Sequence, residues 1–224
     1  MTDDRVELTA DQTVLIRQGA TRLRREFDGT FNTATIERYM LDSQELLLAT
    51  ATFTQWFPLL VERVTRDRLR ALARLELGVD AKPAVLFMCV HNAGRSQMAA
   101  SWMRLLTGDR VDVFSAGTDP GPTLNAAAVV AMGEVGIDIA AELPQPWTDE
   151  IASAVDVIVT MGCGEACPVH AGKRYEDWEV RSPSEQPLEV VREIRDDLRD
   201  RVVALIASLG LDVAGGVAGV SGQR

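Results

Sequence analysis

The stretch AVLFMCVHNAGRS, residues 84–96, decides the fold. Its first six residues are all apolar, which is typical of a short β-strand buried on both faces of a sheet. The loop that follows opens with Cys89 and ends at Arg95 and Ser96, where apolar residues begin to recur at helical spacing. A strand, a short loop and a helix in this order predict one unit of a parallel sheet.

The C-x5-R-S loop has the composition of an anion site with a nucleophile at its base. A loop curled at a helix N-terminus directs several N–H groups at one point, and the helix dipole adds positive potential there. Arg95 can hold two oxygens of a tetrahedral oxyanion, Ser96 can donate to the sulfur, and the field favours the thiolate of Cys89. The predicted oxyanion-binding residues are Val90, His91, Asn92, Ala93, Gly94, Arg95 and Ser96. The alternative is a buried strand-end cysteine followed by a surface arginine.

The rest of residues 81–210 alternates between strand and helix patterns. Further strands are predicted at Val111–Ser115, Val155–Met161 and Arg174–Val180, and helices at Arg95–Leu106, Thr123–Val135, Asp149–Ala154 and Leu188–Leu209. This order predicts an α/β fold with a four-stranded, parallel, doubly wound sheet. Active sites of such sheets lie beyond the carboxyl ends of the strands, and Cys89, Cys163 and Cys167 all fall at that edge.

Residues 1–80 predict a separate all-α domain of three helices. Thr9 and Gln12 form a capping-box pair at the start of the first helix, the second begins near Thr33, and the third follows Trp56-Phe57-Pro58. No candidate catalytic cluster lies in this domain, so we expect it to serve packing or a homodimer. Residues 211–224 are rich in glycine and predict a flexible tail.

Composition excludes several classes of function. The 224 residues carry a net charge of −10, from 33 acidic and 23 basic side chains, which argues against nucleic acid as a partner. An anionic substrate must therefore be attracted locally. The sequence contains neither an apolar run long enough to span a membrane nor a signal peptide, so we expect no membrane partner and a cytoplasmic location. Three cysteines in that compartment suggest catalysis, redox chemistry or a metal rather than a structural disulfide framework.

Five segments together resemble the thioredoxin-coupled arsenate reductases, which share their fold with low-molecular-weight protein tyrosine phosphatases. They are CVHNAGRSQMAASW, FSAGTDPG, VGIDI, VDVIVTMGCGEACP and YEDWEVRSP. The N-terminal region resembles a three-helix domain joined to some actinobacterial members. The resemblance implies an arsenate reductase of arsenic detoxification, with no bound metal or tightly held cofactor. Its external reductant would be thioredoxin or a low-molecular-weight thiol such as mycothiol.

The resemblance also implies a relay of three cysteines. Cys89 would attack arsenate, and Cys163 would then attack Cys89 with release of arsenite. Cys167 would finally attack Cys163, which leaves a disulfide between Cys163 and Cys167. Glycines and a proline around these cysteines predict a mobile segment. Two other interpretations stay open: Cys163 and Cys167 are inert, or they bind zinc together with Cys89 and His170.

One position departs from the family pattern. Related enzymes carry a general-acid aspartate before the proline of the loop after the fourth strand, and here that position is Ser182. Asp177, Glu179 or Glu185 could replace it, although each is also explained as solvated surface. The alternative functions are a tyrosine phosphatase, which needs only Cys89 and Arg95, and a non-catalytic oxyanion-binding interaction module.

Overall fold

The computed structural model describes residues 8–50, 56–78, 82–164, 167 and 169–213. The chain divides into two compact units, Met1–Val79 and Asp80–Arg224. Within the described ranges, no helix combines the length and the apolar character that crossing a membrane requires. Most of the predicted tail, residues 214–224, lies outside the described residues.

The N-terminal unit contains the three predicted helices. They are α1 (Ala10–Glu26), α2 (Thr33–Thr50) and α3 (Phe57–Leu77). The capping box is confirmed, because the Thr9 side chain accepts the N–H of Gln12 at 3.2 Å and Gln12 Oε1 accepts the N–H of Thr9 at 3.0 Å. Pro58 stands in the first turn of α3, where its missing N–H costs no helical hydrogen bond.

A buried carboxylate ties α1 to α3. Glu62 is almost fully buried, and Arg22 Nε donates to its Oε1 at 3.0 Å while Arg66 Nη2 donates to the same oxygen at 2.8 Å. The hydrogen bond from Arg22 holds the pKa of Glu62 below its usual value. Gly19 makes room for this group, since a Cβ at that position would lie 3.0 Å from Glu62 Oε2.

The C-terminal unit is the predicted four-stranded parallel sheet with flanking helices. Its strands are β1 (Ala84–Cys89), β2 (Asp112–Gly117), β3 (Val157–Met161) and β4 (Arg174–Asp177). Its helices are α4 (Arg95–Thr107), α5 (Ala126–Gly133), α6 (Asp149–Ala154) and α7 (Leu188–Ser208), with a 3₁₀ turn at Gly108–Arg110. The strand order is β2-β1-β3-β4. The chain passes from β1 to its neighbour β2 on one side and then crosses back to β3, the neighbour of β1 on the other side. Cys89 therefore ends its strand at the topological switch point, where ligands of such sheets bind.

The fourth strand is shorter than the predicted Arg174–Val180. Its last register pair is Thr160 with Asp177, and the N–H of Trp178 adds one more bond to Thr160 O at 2.8 Å. β3 then ends, and Gly162 turns the chain with φ 72°. Residues 179 and 180 have no strand to pair with, and the chain continues as a loop toward the carboxyl edge of the sheet.

Two other strands differ from the prediction at their ends. β2 extends past Ser115 because β1 continues beside it as far as Cys89, which pairs with Gly117. β3 begins later than Val155, because that residue ends α6 and Asp156 has another partner. The Oδ2 atom of Asp156 accepts the N–H of Ala84 at 2.8 Å.

Helix α5 starts three residues later than the predicted Thr123–Val135. Asn125 is its N-cap and accepts the N–H of Ala128 through its side chain at 2.8 Å. A side-chain cap of this kind supplies one of the acceptors that a helix start otherwise lacks. The residues before Asn125 are consequently free to form part of a cavity wall, described below.

Candidate active site

The loop between β1 and α4 places a free thiol at a helix N-terminus. Cys89 is 3% exposed and is the free cysteine of the chain. Gly94, the N-cap of α4, offers no side-chain acceptor to the first turn of the helix. The unsatisfied N–H groups of that turn and the helix dipole therefore favour an anion at this position.

The backbone of the loop is oriented by the segment that follows β2. The carbonyls of Cys89, Val90, His91 and Ala93 accept N–H groups of residues 118, 119, 121 and 125 at 2.8–3.2 Å. Because C=O and N–H point in opposite directions across a trans peptide, the loop N–H groups point away from that segment. An oxyanion cradle requires backbone donors freed in this way.

Two glycines allow the close approaches that shape the loop. A Cβ on Gly94 would lie 2.5 Å from Pro183 Cγ, and a Cβ on Gly117 would lie 2.5 Å from the carbonyl oxygen of Val90. Asn125 also contacts the loop that contains Pro183, because its Nδ2 donates to Pro183 O at 3.2 Å. Larger residues at the two glycine positions would displace the loop.

A buried chain of hydrogen bonds ends at the sulfur. Ser96 Oγ lies 3.1 Å from Cys89 Sγ, and Asn92 Nδ2 lies 2.8 Å from Ser96 Oγ. The other amide atom, Asn92 Oδ1, accepts the backbone N–H of Gln145 at 2.9 Å and Gln97 Nε2 at 3.0 Å. Asn92 itself has φ 49°, a left-handed conformation that asparagine tolerates better than most residues.

The donor and acceptor chemistry of these groups fixes the direction of each hydrogen bond in the series. A peptide N–H can only donate, so the Asn92 atom facing Gln145 is the carbonyl oxygen and the NH₂ group faces Ser96. The Ser96 oxygen is then an acceptor toward Asn92, and its single proton is available for Cys89 Sγ. The network thus presents a donor to the sulfur, which is the arrangement that stabilises a thiolate.

Arg95 lies against the turn that carries the second cysteine. Its Nη1 donates to Val180 O at 3.3 Å. A Cβ built on Gly162 would lie 2.7 Å from the same Nη1 atom, so the guanidinium occupies space that only glycine leaves open. Arg95 is partly buried and also lines the cavity above Cys89.

The cavity above the sulfur measures about 300 Å³ and is open to solvent. It is lined by Cys89, His91, Ala93, Gly94, Arg95, Gly121, Pro122, Thr123, Leu124, Asn125, Ser182, Pro183 and Ser184. Ser182 therefore stands in the wall, whereas none of the three suggested substitute acids lines it. Asp177 instead accepts the hydroxyl of Thr160 at 2.6 Å.

His91 stands at the mouth of this cavity. Its side chain is 61% exposed, and Nδ1 lies 2.9 Å from the carbonyl oxygen of Asp119. A carbonyl can only accept, so this contact places a proton on Nδ1.

Cys163 and Cys167 form a disulfide bond, with Cα atoms 5.7 Å apart. Cys163 is 8% exposed and Cys167 is half-buried. Cys163 follows β3, whose last residue, Met161, pairs with Cys89 in the sheet. The nucleophile and the disulfide thus occupy neighbouring strand ends. The mobility predicted for the segment falls partly on Glu165, Ala166 and Pro168, which lie outside the described residues.

In this state the two sulfurs are bonded to each other, which favours the redox interpretation of Cys163 and Cys167 over inert thiols or thiolate ligands of zinc. Over the described part of the chain, no group of three or more His, Cys, Asp or Glu side chains is arranged to hold a metal ion. His170, the fourth zinc ligand considered, packs its ring edge-on to Trp147 at 6.5 Å and lies 3.9 Å from Asp149.

Three polar residues of this site were not anticipated from the sequence. Gln97 and Gln145 converge on Asn92, and Asn125 connects the loop after β2 to Pro183. Gln97 directly follows Ser96 of the loop motif, and this adjacency is the signal that the sequence offers for it. Gln145 and Asn125 lie 53 and 58 positions from their partners, and no local pattern indicates such contacts.

The sequence and the fold of this chain are similar to those of known proteins. Residues 84–214 match the family described as low molecular weight phosphotyrosine protein phosphatase. The chain belongs to this family. Residues 16–73 match a second description, the N-terminal domain of protein-tyrosine-phosphatase-like proteins. The resemblance drawn from the five segments is confirmed.

Several proteins similar to this chain are named as arsenate reductases. The solved thioredoxin-dependent arsenate reductase of Corynebacterium glutamicum is 36% identical, with a TM-score of 0.75 over 89% of this chain and 98% of that one. The glutaredoxin arsenate reductase of a Synechocystis species is 34% identical over 128 residues, 56% of this chain and 97% of that protein. The arsenate reductase of Halalkalibacterium halodurans is 34% identical over 131 residues, 54% of this chain and 93% of that protein.

Proposed function

We propose that this protein is an arsenate reductase that converts arsenate to arsenite by a relay of Cys89, Cys163 and Cys167. The observation that carries the proposal is the pairing of a free, buried Cys89 beneath an anion cavity with a disulfide at the neighbouring strand end. A phosphoester hydrolase needs the first feature only. The names of the similar proteins support the same activity.

The first step is attack by the Cys89 thiolate on the arsenic atom. A sulfur–arsenic bond forms and an arsenic–oxygen bond breaks, with the departing oxygen leaving as water. Loop N–H groups and Arg95 would hold the remaining oxygens, because the loop residues and Arg95 line the cavity together with Cys89. The proton for the departing oxygen would come from solvent, since Ser182 is a poor acid near neutral pH and the cavity is open.

The second and third steps are thiol–disulfide exchange. The Cys163 thiolate attacks Cys89 Sγ, and the electron pair of the sulfur–arsenic bond stays on arsenic, which leaves as arsenite. Cys167 then attacks Cys163 and releases the Cys89 thiolate. The bond between Cys163 and Cys167 is the product state of this relay.

An external thiol reductant must return the pair to two thiols. Cys167 is more exposed than Cys163, so its sulfur is the accessible point of attack for a donor thiolate. We propose thioredoxin as this donor, on the similarity to the thioredoxin-dependent enzyme, with mycothiol as the alternative. The cytoplasmic location and the homodimer through the N-terminal helices stay predictions from the sequence.

The test compares arsenate reduction in the wild type with Cys89→Ser, Cys163→Ser and Cys167→Ser, supplied with thioredoxin, thioredoxin reductase and NADPH. Loss of turnover in all three variants supports the relay. Retained turnover in Cys167→Ser with mycothiol indicates a small-thiol donor. Hydrolysis of p-nitrophenyl phosphate that depends on Cys89 alone, without arsenate reduction, would make the protein a phosphatase. Phosphate binding without either activity would make it an interaction module.

A further inference from the structure

Gln97 is a fully buried side chain in the first turn of α4, beside the anion loop but outside the cavity. Its Nε2 atom donates to Asn92 Oδ1 at 3.0 Å and lies 3.4 Å from Leu143 O. A buried glutamine is costly unless it is hydrogen-bonded, and here its shorter bond reaches the residue that orients Ser96.

We propose that Gln97 is a positioning residue for the Cys89 thiolate, because it fixes which way the Asn92 amide faces. Two N–H donors, from Gln97 and from the Gln145 backbone, point at one atom of Asn92. That atom must be the oxygen, since a flipped amide would set its NH₂ group against both donors. The orientation in turn keeps the Ser96 proton directed at the sulfur.

Loss of the Gln97 donor leaves one N–H to hold the amide. In the flipped amide, Oδ1 faces Ser96 and competes with Cys89 Sγ for the only proton on the Ser96 hydroxyl. Part of the population then loses the hydrogen bond to the sulfur. The direct effect is on the thiolate, whereas the loop N–H groups and Arg95 keep their places around an oxyanion. Gln97 therefore acts on the nucleophile more than on substrate binding.

The test uses Gln97→Met, which keeps the length of the side chain and removes its donor. In the protein with Cys163 and Cys167 oxidised, Cys89 is the free thiol, so its alkylation by iodoacetamide can be followed directly. We expect alkylation of Gln97→Met at pH 7 to be about tenfold slower than that of the wild type, the factor that about 1.4 kcal/mol represents. Phosphate affinity should change less than about threefold, because the cavity lining is unaltered.

Thr107→Val is the matched control. Thr107 is a buried residue of the same helix, and its Oγ1 donates to Met103 O at 2.7 Å, away from the anion loop. Thr107→Val loses the hydrogen bonds of one buried polar side chain, as Gln97→Met does, and should be alkylated at the wild-type rate. Equal alkylation of the two variants, whatever their melting temperatures, would overturn the proposal.

A second substitution, Gln97→Leu, guards against misfolding of the first, because it offers the buried site a different apolar shape. It also lacks the donor and should slow alkylation about as much. The proposal rests on the proposed function only in taking Cys89 as the nucleophile. Alkylation requires no arsenate, so wild-type protein without reductase activity would defeat the proposed function and leave this measurement decisive for Gln97.

Discussion

Replacement of Gly162 by alanine tests whether Arg95 is held where an oxyanion would bind. Gly162 has φ 72°, and an alanine Cβ would lie 2.7 Å from Arg95 Nη1. Gly136 is the matched control, because it has φ 78° and a Cβ there would meet nothing within 4 Å. Both substitutions carry the cost of a left-handed alanine, about 1–2 kcal/mol, and only the first displaces the guanidinium.

The expected loss of affinity follows from the bonds of the guanidinium. A displaced Arg95 gives up its contact with Val180 O and the charge-assisted hydrogen bond to the anion that the proposed function assigns to it. A charge-assisted hydrogen bond contributes about 1.5–3 kcal/mol, which corresponds to roughly 10- to 100-fold in a dissociation constant. We therefore expect Gly162→Ala to weaken phosphate binding by at least about tenfold, and Gly136→Ala by less than about twofold.

Isothermal titration with phosphate measures the dissociation constant of each variant. Thermal unfolding shows whether the left-handed alanine destabilises the two variants equally. Similar melting temperatures with different phosphate affinities would confirm that the effect is local to Arg95. Equal affinities in the two variants would refute the reasoning, since the guanidinium would then contribute nothing at the position described.

Three further predictions concern other parts of the chain. Glu62→Gln should lower the free energy of unfolding at pH 7 by about 1–3 kcal/mol. The hydrogen bond from Arg22 lowers the pKa of Glu62 below 4.5, so this stabilisation is present above pH 4.5 and is lost as the pH falls through the lower folded value. Urea unfolding at pH 7 and pH 3 should show the difference from wild type shrinking, and a constant difference would contradict it. Ser182→Asp should raise hydrolysis of p-nitrophenyl phosphate at least about tenfold by adding an acid to the cavity wall; an unchanged rate would mean that the position does not face the departing oxygen. Asn125→Ala should cost about 1 kcal/mol through the lost helix cap, and a wild-type melting temperature would count against that role.

The sequence predicts the features of this site that are local in the chain. The run from Ala84 to Cys89 is a strand with the bounds predicted, and α4 begins at Arg95 as expected. Both follow from short-range patterns, an apolar run and a helical repeat. The parallel, doubly wound character of the sheet also follows, because strands that alternate with helices are joined by right-handed crossovers.

Contacts between distant residues are not predictable in this way. Pro183 packs against Gly94, and the backbone of Gln145 holds Asn92, although nothing near these residues in the chain indicates a partner. β4 was predicted too long for the same reason. Its residues have strand composition as far as Val180, but strand length depends on the neighbour, and β3 ends at Met161.

The relay requires the reduced Cys163 to reach Cys89, and the sheet register shows that this is a short movement. Met161 pairs with Cys89, neighbouring strands lie about 4.8 Å apart, and two further residues extend the chain by at most about 7 Å. A disulfide requires Cα atoms within about 7 Å. The required displacement is therefore a few ångströms, within the range of a change in loop backbone.

The backbone around Cys163 is suited to that change. Gly162 and Gly164 flank it with φ 72° and 53°, and glycine can leave the left-handed region for the right-handed one without steric cost. Reduced Cys167→Ser treated with arsenate should accordingly accumulate a Cys89–Cys163 disulfide, found by peptide mapping, because no third thiol can resolve it. If Cys89 were recovered as a free thiol after arsenite release, reduction would have to proceed without Cys163, and the position of the disulfide beside β1 would be unrelated to the chemistry.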